Sequence, residues 1–323
     1  MTASINGSAP TTTRASDNIS SGVEFDITPI GPTHGARISG FDIATASDSQ
    51  IAALRIALAE HKVLVLNDQH LDDDQHVRFA ARIGDLTAGH PVWDSGADLP
   101  AEVYSLDSTD NGFADVWHTD VTFMPRPPAA SILRPLVLPQ LGGDTNWADG
   151  EAAYASLSSP MQRLADELVA VHDGNREFGY YLRHRRSGKG NVWDGEEVTG
   201  LRPVRHPVVR IHPVTGRKAL FVNPGFTSHI AGVSEAESRG LLDAFYGHLT
   251  KPEHIVRHSW SLGDVVLWDN RSTAHYANRD YSQRRIMHRV TLRGDRPVGP
   301  QGHVEPFGDE SGHWWAAESK SVG

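Results

Sequence analysis

The chain has 323 residues, a formal charge of −10 and 39% apolar residues. That length suits one large core or two modest ones, and the acidic balance argues against nucleic acid or an anionic membrane as the main partner. There is no cysteine, so disulfides, thiolate metal sites and cysteine nucleophiles are excluded, and any metal must sit on His, Asp or Glu.

Residues 1–22 are rich in Ser, Thr, Ala and Asn, contain no apolar segment long enough for a signal peptide, and read as a disordered leader. No run approaches the roughly 20 apolar residues of a membrane span, so a cytoplasmic protein without a membrane partner is expected. "FDITPIGPTHGARISGFDI" alternates as short strands and turns do. "SDSQIAALRIALAEH" reads as a helix, with Ser47 and Gln50 at capping-box spacing and Ile51, Leu54 and Leu58 on one face. "KVLVLND" follows as a buried strand. "LDDDQHVRFAARIG" is a second helix, acidic in its first turn and closed by Gly84.

Strands dominate from residue 116: "VWHTDVTF", "AASILRPLVL" and "GDTNWAD". "SSPMQRLADELVAVH" reads as a helix with Pro160 in its first turn. Residues 179–203 show no period and read as a long mobile loop, a candidate lid. "HPVVRIH" and "KALFVN" form a hairpin through "PVTGR", and "SEAESRGLLDAFYGHL" is a helix boxed by Ser234 and Glu237. The strands "IVRHSW", "DVVLWDN" and "RIMHRVTLRG" complete the pattern. The expectation is one mixed α/β domain over residues 23–298, mainly β in its sandwich or barrel core. An irregular tail follows at 299–323, with Trp314 and Trp315 packed on the body or on a neighbouring subunit.

In an extended chain His118 and Asp120 share a face, which fits either a polar sheet edge or two ligands converging on a metal. His275, in the loop or strand beyond the strand that ends at Asp269–Asn270, adds a second imidazole. Two imidazoles and a carboxylate suit a non-haem Fe(II) with positions left open. A hydrolytic zinc site would use the same donors. In "RRIMHRVTLRG", Arg285, Met287, Arg289 and Thr291 share one face, and Ile286, His288, Val290 and Leu292 share the other. Arg285 and Arg289 stand about 13 Å apart along a strand. That spacing fits either a solvated basic face or two anions flanking a common centre.

The order H-T-D, then "GGDT", then "WDNRSTAHYANRDY…RRIMHR" resembles the taurine dioxygenase family of Fe(II)/2-oxoglutarate oxygenases. The likeness runs from about residue 25 to 298 and includes stretches without catalytic duty, such as "HPVVRIHPVTGRKALFVNPGFTSHI" and "LTKPE". It implies a double-stranded β-helix (jelly roll) flanked by helices, and iron held by His118, Asp120 and His275. It further implies that Thr145 and Arg285 hold the distal carboxylate of 2-oxoglutarate, for which a planar guanidinium is a natural clamp. Arg289 and His90 match residues directed at the sulfonate of taurine, and Val121, Phe123, Phe178 and Phe226 match or adjoin the substrate wall. The implied reaction uses O2 to hydroxylate the carbon beside the anion, converting 2-oxoglutarate to succinate and CO2. With taurine it releases sulfite and an aldehyde. The resemblance also implies a homo-oligomer, dimer or tetramer.

At three pocket positions the chain departs from the family pattern: Trp93, Ala114 and Glu177 stand where Tyr, Asn and Ser are expected. Glu177 suits a substrate ammonium and so keeps taurine or a close sulfonate first. Trp93 and Ala114 suit a longer alkyl sulfonate or an alkyl sulfate ester, and carboxylates such as aryloxyalkanoates are a further alternative. A non-catalytic metal-binding jelly roll would retain no use for the two arginines and Thr145, and a zinc hydrolase would leave Arg285 unexplained.

Overall fold

A computed structural model describes residues 13–14, 25–93, 98–110, 114–184, 191–193, 196–198 and 200–302. An eight-stranded sheet runs in the order Thr13–Arg14, Asp26–Pro29, Ala36–Ser39, Val63–Leu66, Val265–Asp269, Ala130–Val137, Ile286–Leu292, Val103–Asp107. Its neighbours are antiparallel except where Ala36–Ser39 meets Val63–Leu66. A three-stranded sheet of Ile255–His258, Thr145–Asp149 and Thr273–Ala277 packs on its inner face. A second three-stranded sheet joins Val204–Pro207, Val169–His172 and Thr227–Ile230. The result is a jelly roll with helices on the outside.

The "KVLVL" run is continuously apolar because both faces of that strand are buried. Leu64 and Leu66 face Leu54, Leu58 and Phe79 of the outer helices, whereas Val63 and Val65 face Trp147, Trp268 and Met287 inside the barrel. The strand Ile286–Leu292 divides in the same way. Val290 and Leu292 lie in the helix-side core, and His288 pairs with Asp73 of the second helix at 2.6 Å. Met287 faces inward, and by the two-residue period Arg289 does too.

The helices Asp48–His61, Asp73–Ile83 and Glu235–Leu249 each begin at a complete capping box, on Ser47/Gln50, Asp72/Gln75 and Ser234/Glu237. The hairpin Val209–Ile211/Lys218–Leu220 forms as expected.

Four expectations are corrected. "VWHTDVTF" is not a strand: only His118 bridges, and the chain then turns at Asp120 with Val121 at φ 56°. The helix at 158–172 stops at Ala165, and Val169–His172 becomes the central strand of its sheet. Burial between two neighbours favours β-branched alternation there over helical continuation. The stretch 179–203, read as a long loop, holds regular elements. The helix Asn175–His184 runs into it, and Asn191–Trp193 pairs with Glu196–Val198 because Trp193 and Val198 are buried in one aromatic cluster. The leader reading is modified by Thr13–Arg14, which pairs with Asp26–Ile27. The rest of 1–22, and Trp314 and Trp315 of the tail, lie outside the described residues. Among the described residues no helix is long and apolar enough to cross a membrane.

Buried histidines make this fold acid-sensitive. Burial pushes His34 down to about 4 from its ordinary 6.5, and His76 and His206 down to about 3. Between those values and 6.5 the unfolded chain binds more protons than the folded one. Stability is therefore complete above pH 6.5 and is lost as the pH falls. Each group contributes a slope of about 1.4 kcal/mol per pH unit, so the three together give about 4 kcal/mol per pH unit. Against a typical total of about 5–15 kcal/mol, the urea midpoint should fall steeply between pH 6.5 and 5. A flat profile over that range would contradict the assignment.

Candidate active site

His118 and His275 form a hydrogen-bonded bridge pair: each backbone N–H donates to the other's carbonyl, at 2.9 and 2.7 Å. This pairing sets the two imidazoles side by side, with ring centroids 4.1 Å apart. The His118 Nδ1–H donates to the Val116 carbonyl at 2.8 Å, which leaves Nε2 as the free lone pair. Burial, and then the neighbouring His118, hold His275 well below its ordinary pKa. It is therefore neutral, the form that binds a metal.

Asp120 is carried in by the turn. Its N–H donates to Asn270 Oδ1 at 2.8 Å, and Asn270 Nδ2 donates back to the carbonyls of Asp120 and Pro128, both at 3.0 Å. One amide side chain thus ties together three loop positions. Ser131 donates to Asp120 Oδ2 at 2.6 Å, while Oδ1 lies 3.8 Å from the Nε2 atoms of both histidines and accepts from Arg289. Burial alone would raise the pKa of this carboxyl, but Arg289, the two imidazoles and Ser131 outweigh it and keep Asp120 ionised. The ligand atoms of His118, Asp120 and His275 all lie within 4.8 Å of one another.

These groups open onto a cavity of about 950 Å³. Thr145 and Arg285 line it on one side. The Nε and Nη2 atoms of Arg285 are buried and meet no protein acceptor among the described residues. A guanidinium held this way needs an anion. "GGDT" makes room for it: Gly142 and Gly143 have φ of 82° and 75°, and a Cβ on Gly143 would stand 3.1 Å from Arg285 Nε.

Arg289 and His90 line another part of the same cavity, each against Tyr104. The guanidinium lies 5.2 Å from that ring, and the His90 ring stacks on it at 5.0 Å. Backbone N–H groups of Val92 and Trp93 donate to His90 Nδ1 at 3.1 and 2.9 Å, so its proton sits on Nε2. Burial, and then Arg289, hold His90 well below 6.5. Phe123, Phe178 and Phe226 pack with centroids 4.9–6.2 Å apart. Trp93 meets Phe178 edge-on, and Val121 belongs to the same cluster. Ala114 and Glu177 also line the cavity.

Every site residue named from the sequence therefore converges on one cavity. Tyr104, Ser131 and Asn270 were missed. Tyr104 sits in the strand Val103–Asp107, which went unrecognised, and the contacts of Ser131 and Asn270 with Asp120 span 11 and 150 residues.

The family model described as "Taurine catabolism dioxygenase TauD, TfdA family" matches residues 26–291. The chain belongs to that family. An alpha-ketoglutarate-dependent sulfate ester dioxygenase of Pseudomonas putida is 40% identical over 294 residues, spanning 87% of this chain and 94% of the relative. An alkylsulfatase of Acinetobacter baylyi is 39% identical, spanning 83% and 84%. The crystal structure of a taurine dioxygenase from Burkholderia xenovorans superposes with a TM-score of 0.72 at 36% identity, covering 86% of this chain and 94% of that one. This TauD/TfdA-family chain is a 2-oxoglutarate-dependent dioxygenase, with iron and 2-oxoglutarate as its cofactor and co-substrate. Its donor set of two imidazoles and one carboxylate fits Fe(II), and the two buried, unpaired N–H groups of Arg285 fit a dicarboxylate.

The backbone also limits the site. A Cβ on Gly225 would meet His118 Cβ at 2.9 Å, and Gly225 N–H holds the Trp117 carbonyl at 3.0 Å. Gly225→Ala should therefore displace His118, at an overpacking cost of about 1–3 kcal/mol. Iron affinity should fall roughly tenfold or more, read by equilibrium metal titration. Wild-type affinity would show that the loop gives way instead.

Proposed function

We propose that His118, Asp120 and His275 hold Fe(II), that Arg285 and Thr145 hold the distal carboxylate of 2-oxoglutarate, and that Arg289 and His90 hold the sulfo group of the organic substrate. The observation that carries this reading is the presence of two buried guanidiniums in one cavity, with the three metal-ligating side chains in the same wall. Iron, 2-oxoglutarate and O2 together supply the oxidation of a C–H bond, with succinate and CO2 as co-products. The chain's own residues do the positioning. Arg289 and the His90 Nε2–H grip the anion so that the adjacent carbon faces the metal ligands. The ring wall of Phe123, Phe178 and Phe226 excludes water from the alkyl chain.

The substrate we propose is an alkyl sulfate ester, with taurine second. Trp93, Ala114 and the phenylalanines give the far end of the cavity an apolar lining, and two relatives near 40% identity are named for sulfate esters. Glu177 supports the taurine reading, as the carboxylate that would meet an ammonium. The helix Asn175–His184 brings Glu177 and Phe178 to the cavity, and the hairpin behind it packs Trp193 on the same cluster, which supports a covering role for this region.

Hydroxylation at the carbon bearing a sulfate ester yields an aldehyde and sulfate, whereas the same step on a sulfonate yields sulfite. The test is to supply iron, ascorbate and 2-oxoglutarate with medium-chain alkyl sulfates, alkyl sulfonates, taurine and an aryloxyacetate. The expected result is succinate matched by sulfate and aldehyde, with kcat/KM for the alkyl sulfate at least about tenfold above taurine, as one to two buried methylenes already provide. Turnover confined to taurine, or to the carboxylate, would overturn the substrate assignment.

A further inference from the structure

Trp260 lies just beyond the strand Ile255–His258, whose His258 is paired in register with Thr145. Its indole N–H donates to Thr145 Oγ1 at 2.9 Å. The ring is held in place by His258. His258 packs against it edge-on at 5.0 Å, and the His258 ring is itself fixed by Asp264 at 3.0 Å. Asp264 in turn accepts from the Ser261 N–H at 2.7 Å and from Asn67 Nδ2 at 2.5 Å.

The direction of this hydrogen bond matters. An indole N–H can only donate, so it occupies a lone pair of the threonine oxygen and cannot accept the hydroxyl proton. Thr145 is buried and lines the same cavity as Arg285. Its hydroxyl must therefore direct its proton away from Trp260, and the bond it accepts makes it a stronger donor. Arg285 beside it offers two buried N–H groups and no acceptor. The groups left unpaired here are donors, which favours a carboxylate over a neutral amide or an alcohol.

We propose that Trp260 is a positioning residue for 2-oxoglutarate: by donating to Thr145 it fixes that hydroxyl as a donor to the distal carboxylate. Trp260 acts through Thr145, and the inference rests on the assignment of Thr145 and Arg285 above. It places a co-substrate determinant outside the "GGDT" and "RRIMHR" motifs, on a residue that does not line the cavity.

The test is calorimetric titration of 2-oxoglutarate into Mn(II)-loaded Trp260→Phe, Thr145→Val and the double variant, with thermal unfolding as a check on folding. Trp260→Phe keeps the ring and removes the donor, and should weaken binding about five- to tenfold, the size expected for one polarised hydrogen bond. The KM for the organic substrate should not move. The double variant should bind within about twofold of Thr145→Val alone, because both changes interrupt one chain of contacts. Trp260→His retains a ring N–H and should recover most of the wild-type affinity. Additive losses in the double variant, an unaltered Trp260→Phe, or a folded Trp260→His as weak as the Phe variant would each overturn the role of Trp260. If Thr145→Val itself bound 2-oxoglutarate normally, the underlying assignment of Thr145 would fall, and the proposal with it.

Discussion

Asp120→Asn is expected to abolish iron-dependent succinate formation and to lower iron affinity by a factor of roughly 10²–10⁴. Asp120 is the only carboxylate among the three ligating side chains, and its Oδ1 is the oxygen facing both imidazoles. Oδ2 is already occupied by Ser131, so no second oxygen can take over. The amide also leaves Arg289 buried without its counter-charge. That unpaired guanidinium costs the fold about 3–5 kcal/mol, and loss of the anionic donor costs metal binding about 3–5 kcal/mol, which corresponds to that range of affinity. The metal-free variant should accordingly melt well below the wild type. Equilibrium titration with Fe(II) under anaerobic conditions, with thermal unfolding alongside, measures both effects. Iron affinity within threefold of the wild type would remove Asp120 from the ligand set.

Arg289→Ala and Arg285→Ala should separate cleanly, although Arg289 belongs to the strand Ile286–Leu292 and Arg285 immediately precedes it. Arg285→Ala is expected to raise the 2-oxoglutarate requirement roughly 10²-fold or more, since truncating a buried charged partner costs about 2–5 kcal/mol. It should leave the affinity for the alkyl sulfate nearly unaltered. Arg289→Ala should do the reverse, with kcat/KM for the sulfate ester falling by a similar factor and 2-oxoglutarate binding retained. Arg289 also occupies Asp120 Oδ1 in this structure, so its removal frees that oxygen, and iron binding should not weaken. Calorimetry with each ligand on Mn(II)-loaded protein reads the two effects independently of turnover. Equal weakening of 2-oxoglutarate binding by both substitutions would refute the assignment of two separate anions to one strand.

Much of this site could be read along the chain because its chemistry is carried by residue types that short spacings expose. Arg285 and Arg289 four apart on a strand predict a shared face, and the inward Met287 between them bears that out. The capping boxes at Ser47/Gln50 and Ser234/Glu237 are local in the same sense, closing within four residues. The misreadings share a cause. "VAVH" is a strand because Val204–Pro207 and Thr227–Ile230 flank it, and neither neighbour is visible in a window of fifteen residues. Segment 179–203 reads as a loop because its organisation comes from Trp193 and Val198 packing on Phe123, Phe178 and Phe226.

The amino-acid sequence by itself supplied the reaction family through its resemblance, and it offered the candidate metal ligands and the two arginines through their functional groups and their spacings of two and four residues. Only the tertiary structure decided how His118 and Asp120 converge. They do so not by strand alternation but through a single bridge to His275, followed by a turn that Asn270 locks from 150 positions away. The physical reason is that a carboxylate buried beside two imidazoles must have every remaining lone pair satisfied. The groups that satisfy them, Ser131 and Arg289, are brought there by the closing of the barrel, while Asn270 holds the Asp120 backbone.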